Sequence, residues 1–149
     1  MTPRRIILDA NILIRAVLGV KVSGLLAKYA ESVDFCAPSI AFEDAEANLP
    51  GIMAKRGIEP EELSLGFDAV RRLVDEVPGE VTEALQAKAL QRIGRRDPDD
   101  WPIVAAALAL DCPIWTEDRD FFGAGVATWT SDLVEIYLSD DGGEPTPTG

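Results

Sequence analysis

Acidic side chains crowd four short stretches of the chain. Asp9 ends the run RRIIL (4–8). Glu43, Asp44 and Glu46 sit in AFEDAEANL (41–49). Asp97, Asp99 and Asp100 fall within RRDPDDWP (95–102). Glu117, Asp118 and Asp120 follow PIWT (113–116). Carboxylates brought into one site repel each other unless protons or cations neutralise them. Their oxygen donors suit hard ions such as Mg2+, Mn2+ or Ca2+. Histidine is absent, which excludes a Ser-His-Asp triad, a Cys-His pair and His-ligated zinc. Any catalysis must rest on carboxylates, hydroxyls, Lys, Arg or a metal.

The elements that would position these acids alternate between strand and helix. RRIIL reads as a buried strand, and NILIRAVLG (11–19) as a helix stopped by Gly19. VSGLLAKYAES (22–32) is a second helix and VDFCA (33–37) a second strand. Ser39 is the expected N-cap of the helix carrying AFEDAEANL. The stretch 51–95 reads as amphipathic helix, chiefly 59–74 and 78–94. The apolar run IVAAALAL (103–110) is a helix, PIWT and VATWT (126–130) are strands, and SDLVEIYL (131–138) closes the domain as a helix. Continuous apolar strands separated by helices predict an α/β fold with a parallel sheet covered on both faces. Ligands bind such sheets beyond the carboxyl ends of the strands, where Asp9 and Thr116 fall.

Each acid also has an ordinary reading. Asp in a first helical turn is favoured by capping and by the helix dipole. Asp99 as N-cap places Pro102 at the third helical position, leaves Asp97 to the turn before Pro98, and leaves Asp100 without a structural role. Glu43 and Glu46 share a helix face, and Asp44 points roughly 100° from Glu43. Spacing alone leaves open whether the helix start at Asp100 faces Asp9.

At these residues the chain resembles the PIN-domain family of metal-dependent ribonucleases, which includes the VapC-type toxins. IILDANILI (6–14) is similar to the family's strand followed by Asp-x-Asn. PSIAFEDAEANL (38–49) is similar to its helix bearing one Glu, which aligns with Glu43. DDWPIVAAALAL (99–110) aligns its third acid with Asp100, although Trp101 and Pro102 stand where small residues are common. PIWTEDRDFF (113–122) matches at Thr116, Asp118 and Asp120. The resemblance spans residues 4–138. It implies a three-layer sandwich with a central parallel sheet of four to five strands. It further implies that Asp9, Glu43, Asp100 and Asp118 hold one or two Mg2+ or Mn2+ ions for phosphodiester hydrolysis, with Asp120 as a further ligand. Asn11 and Thr116 would orient water or a ligand carboxylate. Arg15, Arg95, Arg96 and Arg119 would contact the RNA backbone or balance the acids. An RNA substrate, a small antitoxin partner and a homodimer complete the expectation.

Length and charge bound this reading. The chain has 149 residues, 47% hydrophobic and 27% charged, enough for one domain with a core. A net charge of −12 argues against loose electrostatic binding to nucleic acid. Bound metal would reverse the field locally. The tail 139–149 is acidic and reads as disordered beside a domain at 1–138. Cys36 and Cys112 read as buried free thiols, and with no apolar run of membrane length the expectation is cytoplasmic. Two rivals remain. One is a non-catalytic binding module of the same fold. The other is a haloacid-dehalogenase-type phosphatase, which wants a second Asp where Asn11 stands and a late Lys, whereas no Lys follows Lys88.

Overall fold

The computed structural model describes residues 3–94 and 97–139. RRIIL forms a central strand, β1 (Arg4–Leu8), whose Ile6, Ile7 and Leu8 are fully buried. Helices α1 (Ala10–Leu18) and α2 (Val20–Lys28) follow, then β2 (Val33–Pro38) and the long α3 (Ser39–Lys55). Next come α4 (Pro60–Leu73), a short strand β3 (Val74–Val77), α5 (Gly79–Glu83) and α6 (Gln86–Ile93). A 3-10 turn at Pro98–Asp100 leads into α7 (Trp101–Leu110). Strand β4 (Ile114–Trp115), a 3-10 turn at Arg119–Phe121, β5 (Thr128–Trp129) and α8 (Val134–Leu138) end the described chain.

The five strands are all parallel, in the order β3-β2-β1-β4-β5. The chain builds outward from β1 through β2 to β3, then returns to the other side of β1 for β4. The sequence order therefore reverses between β1 and β4. Crossovers between parallel strands are right-handed as a rule, which puts helices on opposite faces in the two halves and gives the expected three layers. α1, α3 and α4 pack together, and α5, α6 and α7 form the other group. Because every strand runs the same way, a helix that leaves a strand starts at the carboxyl edge of the sheet.

The alanine-rich α7 has no polar face. Ile103 through Ala107 are buried, because this helix packs against α5, α6 and the sheet at once. Small side chains let those neighbours approach. The helix stops at Asp111, whose left-handed φ of 51° is tolerated by Asp better than by most residues.

Some expectations change. β3 was hidden because VDEV has only two apolar residues, both buried, while Asp75 and Glu76 are exposed along the sheet edge. Charges on an edge strand discourage pairing with another chain. The helix expected at 22–32 ends at Lys28, and the one at 78–94 breaks into α5 and α6. Ser39 is not an N-cap. Pro38 holds that position, and the Ser39 hydroxyl lies within hydrogen-bond reach of Glu76 Oε2 (2.8 Å) and the Val77 carbonyl (3.2 Å), tying α3 to β3. Of the expected tail only Ser139 is described, as the C-cap of α8. Arg95 and Arg96 also lie outside the described residues. Among the described residues no single helix is long and apolar enough to cross a membrane.

Ala106 is fully buried within this packing. Ala106→Leu should destabilise the fold by about 1–3 kcal/mol through overpacking, measured as a lower denaturant midpoint at unchanged slope.

Candidate metal centre

Asp9 directly follows β1 and starts α1. Its Oδ1 accepts the Ile12 N–H at 2.9 Å, an N-cap bond, and its Oδ2 accepts the Thr116 hydroxyl. Thr116 is fully buried at the end of β4, and its Oγ1 accepts the Asp118 N–H at 2.9 Å. Asp118 in turn caps the next turn, its Oδ1 accepting the Asp120 N–H at 2.9 Å. A line of hydrogen bonds therefore runs from the 3-10 turn through Thr116 to Asp9. It joins the carboxyl ends of β1 and β4, where the sheet order reverses. That crevice is where open parallel sheets bind ligands.

A small cleft of ≈ 80 Å³ opens there, and Asp9, Asn11, Asp44, Asp99, Asp100 and Asp118 line it. The start of α7 thus does face Asp9. Its capping differs from expectation. Asp97, not Asp99, supplies the side-chain cap of the turn, accepting the Asp99 N–H at 3.2 Å. Asp100 is the N-cap residue of α7 by position, yet its carboxylate makes no capping bond. Its Oδ2 is buried with no hydrogen-bond partner among the described residues. One oxygen each from Asp97, Asp100 and Asp120 lie within 4.8 Å of one another, so Asp100 belongs to two adjoining groups of acids.

On α3 the residue that lines the cleft is Asp44, not Glu43. Helical geometry turns adjacent residues about 100° apart. The α3 side bearing Ile40, Ala41 and Asp44 meets the cleft, while Glu43 opens onto a neighbouring groove. Asp44 could have been singled out only by knowing which flank of α3 faces α1, a tertiary fact. Glu46 lies 3.8 Å from Arg71 of α4. The Glu117 carboxylate accepts the Ser131 N–H at 2.8 Å and so serves the link to the segment after β5. Arg15 is exposed and lines a separate groove beside α2, and Arg119 is exposed on the 3-10 turn.

The electrostatics match this crowding. Burial raises the Asp9 carboxyl above its ordinary value, against the lowering effect of its bonds to Thr116 and Ile12. Burial first, then the charges of Asp97, Asp118, Asp9 and Asp120, push Asp100 up to about 7. No Lys or Arg lines the cleft among the described residues. An all-oxygen donor set with a buried, unpartnered carboxylate oxygen fits a hard divalent cation. Elsewhere, Cys36 and Cys112 are unpaired, and burial holds their thiols at about 11 and about 12.

A family model described as PIN domain matches residues 7–139. No curated protein matches the chain. Among solved structures, the fold is similar to VapBC2 from Rickettsia felis bound to a DNA fragment from its promoter. The identity there is 14%, the TM-score 0.62, and the match covers 85% of this chain and 98% of that one. FitAcB from Neisseria gonorrhoeae gives 21% identity and a TM-score of 0.58, covering 85% and 97%. A toxin–antitoxin complex from Klebsiella pneumoniae gives 14% and 0.56, covering 84% and 96%.

Asp9 and Asp100 bind protons more tightly folded than unfolded. The stability they contribute is present below the ordinary carboxyl range near 4 and is lost as pH rises through the folded values. The metal-free melting temperature should therefore fall from pH about 4 to about 7. Asp100→Asn should flatten the slope, and excess Mn2+ should offset the fall by binding the ionised form. Scanning fluorimetry across this range checks it. A slope unchanged by Asp100→Asn would contradict it.

Proposed function

The chain belongs to the PIN-domain family, and we propose that it is a divalent-metal-dependent endoribonuclease that hydrolyses RNA phosphodiesters as the toxin of a toxin–antitoxin pair. The observation that carries the reading is the convergence of Asp9, Asp44, Asp100 and Asp118 on one cleft at the β1/β4 reversal, with Asp100 Oδ2 left unpartnered. These four carboxylates would hold Mg2+ or Mn2+, with Asp97 and Asp120 beside Asp100 as further oxygen donors. When bound, such ions supply Lewis-acid polarisation of the phosphodiester and acidify a water.

The chain's own residues prepare the site. Thr116 donates to Asp9 and accepts from the Asp118 backbone, so the Asp9 carboxylate is held in one orientation before any ligand arrives. Such supporting hydrogen bonds preorganise a metal ligand and raise its affinity. Asn11, exposed at the cleft, presents an amide that bonds a water or a substrate oxygen. Burial and neighbouring charge leave Asp9 and Asp100 strained toward protonation, and a cation would relieve that strain. Arg15 and Arg119 are exposed cations available to RNA phosphates outside the cleft. The similarity to VapBC2 and to a toxin–antitoxin complex supports pairing with a small antitoxin protein. Dimerisation belongs to the same proposal. Two unpaired cysteines accord with a reducing, cytoplasmic setting.

Purified protein should cleave single-stranded RNA in Mn2+ or Mg2+, and Asp9→Asn should lower the rate by at least about 100-fold. Asp44→Asn should weaken Mn2+ binding measured by calorimetry, whereas Glu43→Gln should leave Mn2+ affinity unchanged. Equal cleavage by Asp9→Asn, or none by the wild type in any divalent metal, would refute the nuclease reading.

A further inference from the structure

A second groove of ≈ 590 Å³ adjoins the metal cleft, and Ile40, Asp44, Asp99 and Pro102 line both. Its volume lies within the roughly 300–1,000 Å³ of small-ligand pockets. The remaining wall carries Ser39, Glu43, Thr82, Glu83 and Trp101. Trp101 follows Asp100 directly and is half-buried, packed against the core on one side while lining the groove on another. An indole there offers a stacking surface to a flat ring, and any nucleobase has one.

The polar groups narrow the ligand. Glu43, Glu83 and Asp99 are exposed, and among the described residues none has a Lys or Arg within ion-pair distance. Among the described residues, no Lys or Arg lines the groove. A phosphate would be repelled here. Ionised carboxylates only accept hydrogen bonds, so the favoured guest presents N–H donors. Guanine carries two adjacent donors, N1–H and N2–H, which match the two oxygens of one carboxylate. Uracil has one N–H flanked by carbonyls that would face the same oxygens.

We propose that this groove is a nucleobase pocket in which Trp101 stacks on, and Glu43 accepts N–H bonds from, an unpaired guanine beside the scissile phosphate of single-stranded RNA. The inference rests on the nuclease reading and assigns that enzyme a base preference. It also gives Glu43 work distinct from that of Asp44, the acid one residue along α3. Metal and phosphate meet at the cleft, and the base turns away into the groove.

Two arms test it with the full chain. In the first, a random single-stranded RNA pool is cleaved in Mn2+ and the bases flanking each cut are sequenced. Guanosine should be enriched. Trp101→Ala should raise KM about 10- to 100-fold, the worth of one stacked base, with kcat within about threefold. Trp101→Phe should keep KM near wild type, and Glu43→Gln should erase the guanosine enrichment. In the second arm, guanosine monophosphate and uridine monophosphate are titrated in Ca2+ against tryptophan fluorescence. Guanosine monophosphate should quench wild type more than Trp101→Phe, and uridine monophosphate should not. Cleavage with no base enrichment and an unchanged KM in Trp101→Ala would overturn the pocket. So would equal quenching of wild type and Trp101→Phe. Quenching by guanosine monophosphate without cleavage in any divalent metal would instead sink the nuclease reading and leave the pocket standing.

Discussion

The hydrogen bond from the Thr116 hydroxyl to Asp9 ties together the ends of two strands that the chain makes more than a hundred residues apart. Asp9 sits where a buried strand gives way to a helix, at 6% exposure. A carboxylate at that depth is costly unless its oxygens are bonded. The Ile12 N–H satisfies one oxygen and Thr116 the other, and the Asp118 N–H fixes Thr116 in turn. The cluster is therefore not a loose gathering of surface acids. Its first member is locked by the Ile12 N–H and the Thr116 hydroxyl, and the second half of that lock exists only if β4 lies beside β1. Site and sheet topology are thus one constraint.

On the proposed nuclease reading, the same arrangement would let so acidic a chain act on a polyanion. Several acids meet at this site, where burial and then mutual repulsion raise the Asp100 carboxyl. Such a site favours cations over phosphate. Cations held there would reverse the local field and attract a phosphodiester. Localised attraction of this kind would differ from the broad basic surface that usually gathers nucleic acid. The chain's exposed cations need only assist.

Much of this was legible in the sequence. β1, α1 and β2 follow from apolar runs and Gly19, and the helix after RRDPDDWP from its unbroken apolar stretch. Asp9, Asp100 and Asp118, which line one cleft, each border a strongly patterned element. What escaped was whatever depended on rotation or pairing across the chain. β3 has too few apolar residues to announce itself, and becomes a strand only by pairing with Phe35–Pro38. Asp97 and Asp99 exchanged capping roles because the chain enters α7 through a 3-10 turn, which shifts the N-cap by one residue. The choice between Glu43 and Asp44 needed the azimuth of α3 about its own axis, which no local pattern states.

That azimuth is set from the far side of the helix. Phe42 packs edge-on to Phe67 of α4, with ring centroids 6.4 Å apart, and the Arg71 guanidinium lies 4.6 Å from Phe42 and 5.0 Å from Phe67. Arg71 also reaches Glu76 on β3 at 3.3 Å, and Glu76 lies 2.8 Å from the Ser39 hydroxyl. Contacts at Ser39, Phe42 and Glu46 thus hold one flank of α3 against α4 and β3. Rotation of α3 by the angle between neighbouring residues would break all of them at once, so the helix has a single seat. With that seat fixed, Asp44 lies where the cleft and the groove meet, and Glu43 lines only the groove beside Trp101. Two adjacent acids of the same charge meet different surroundings because aromatic packing on the opposite flank decides which way each one faces.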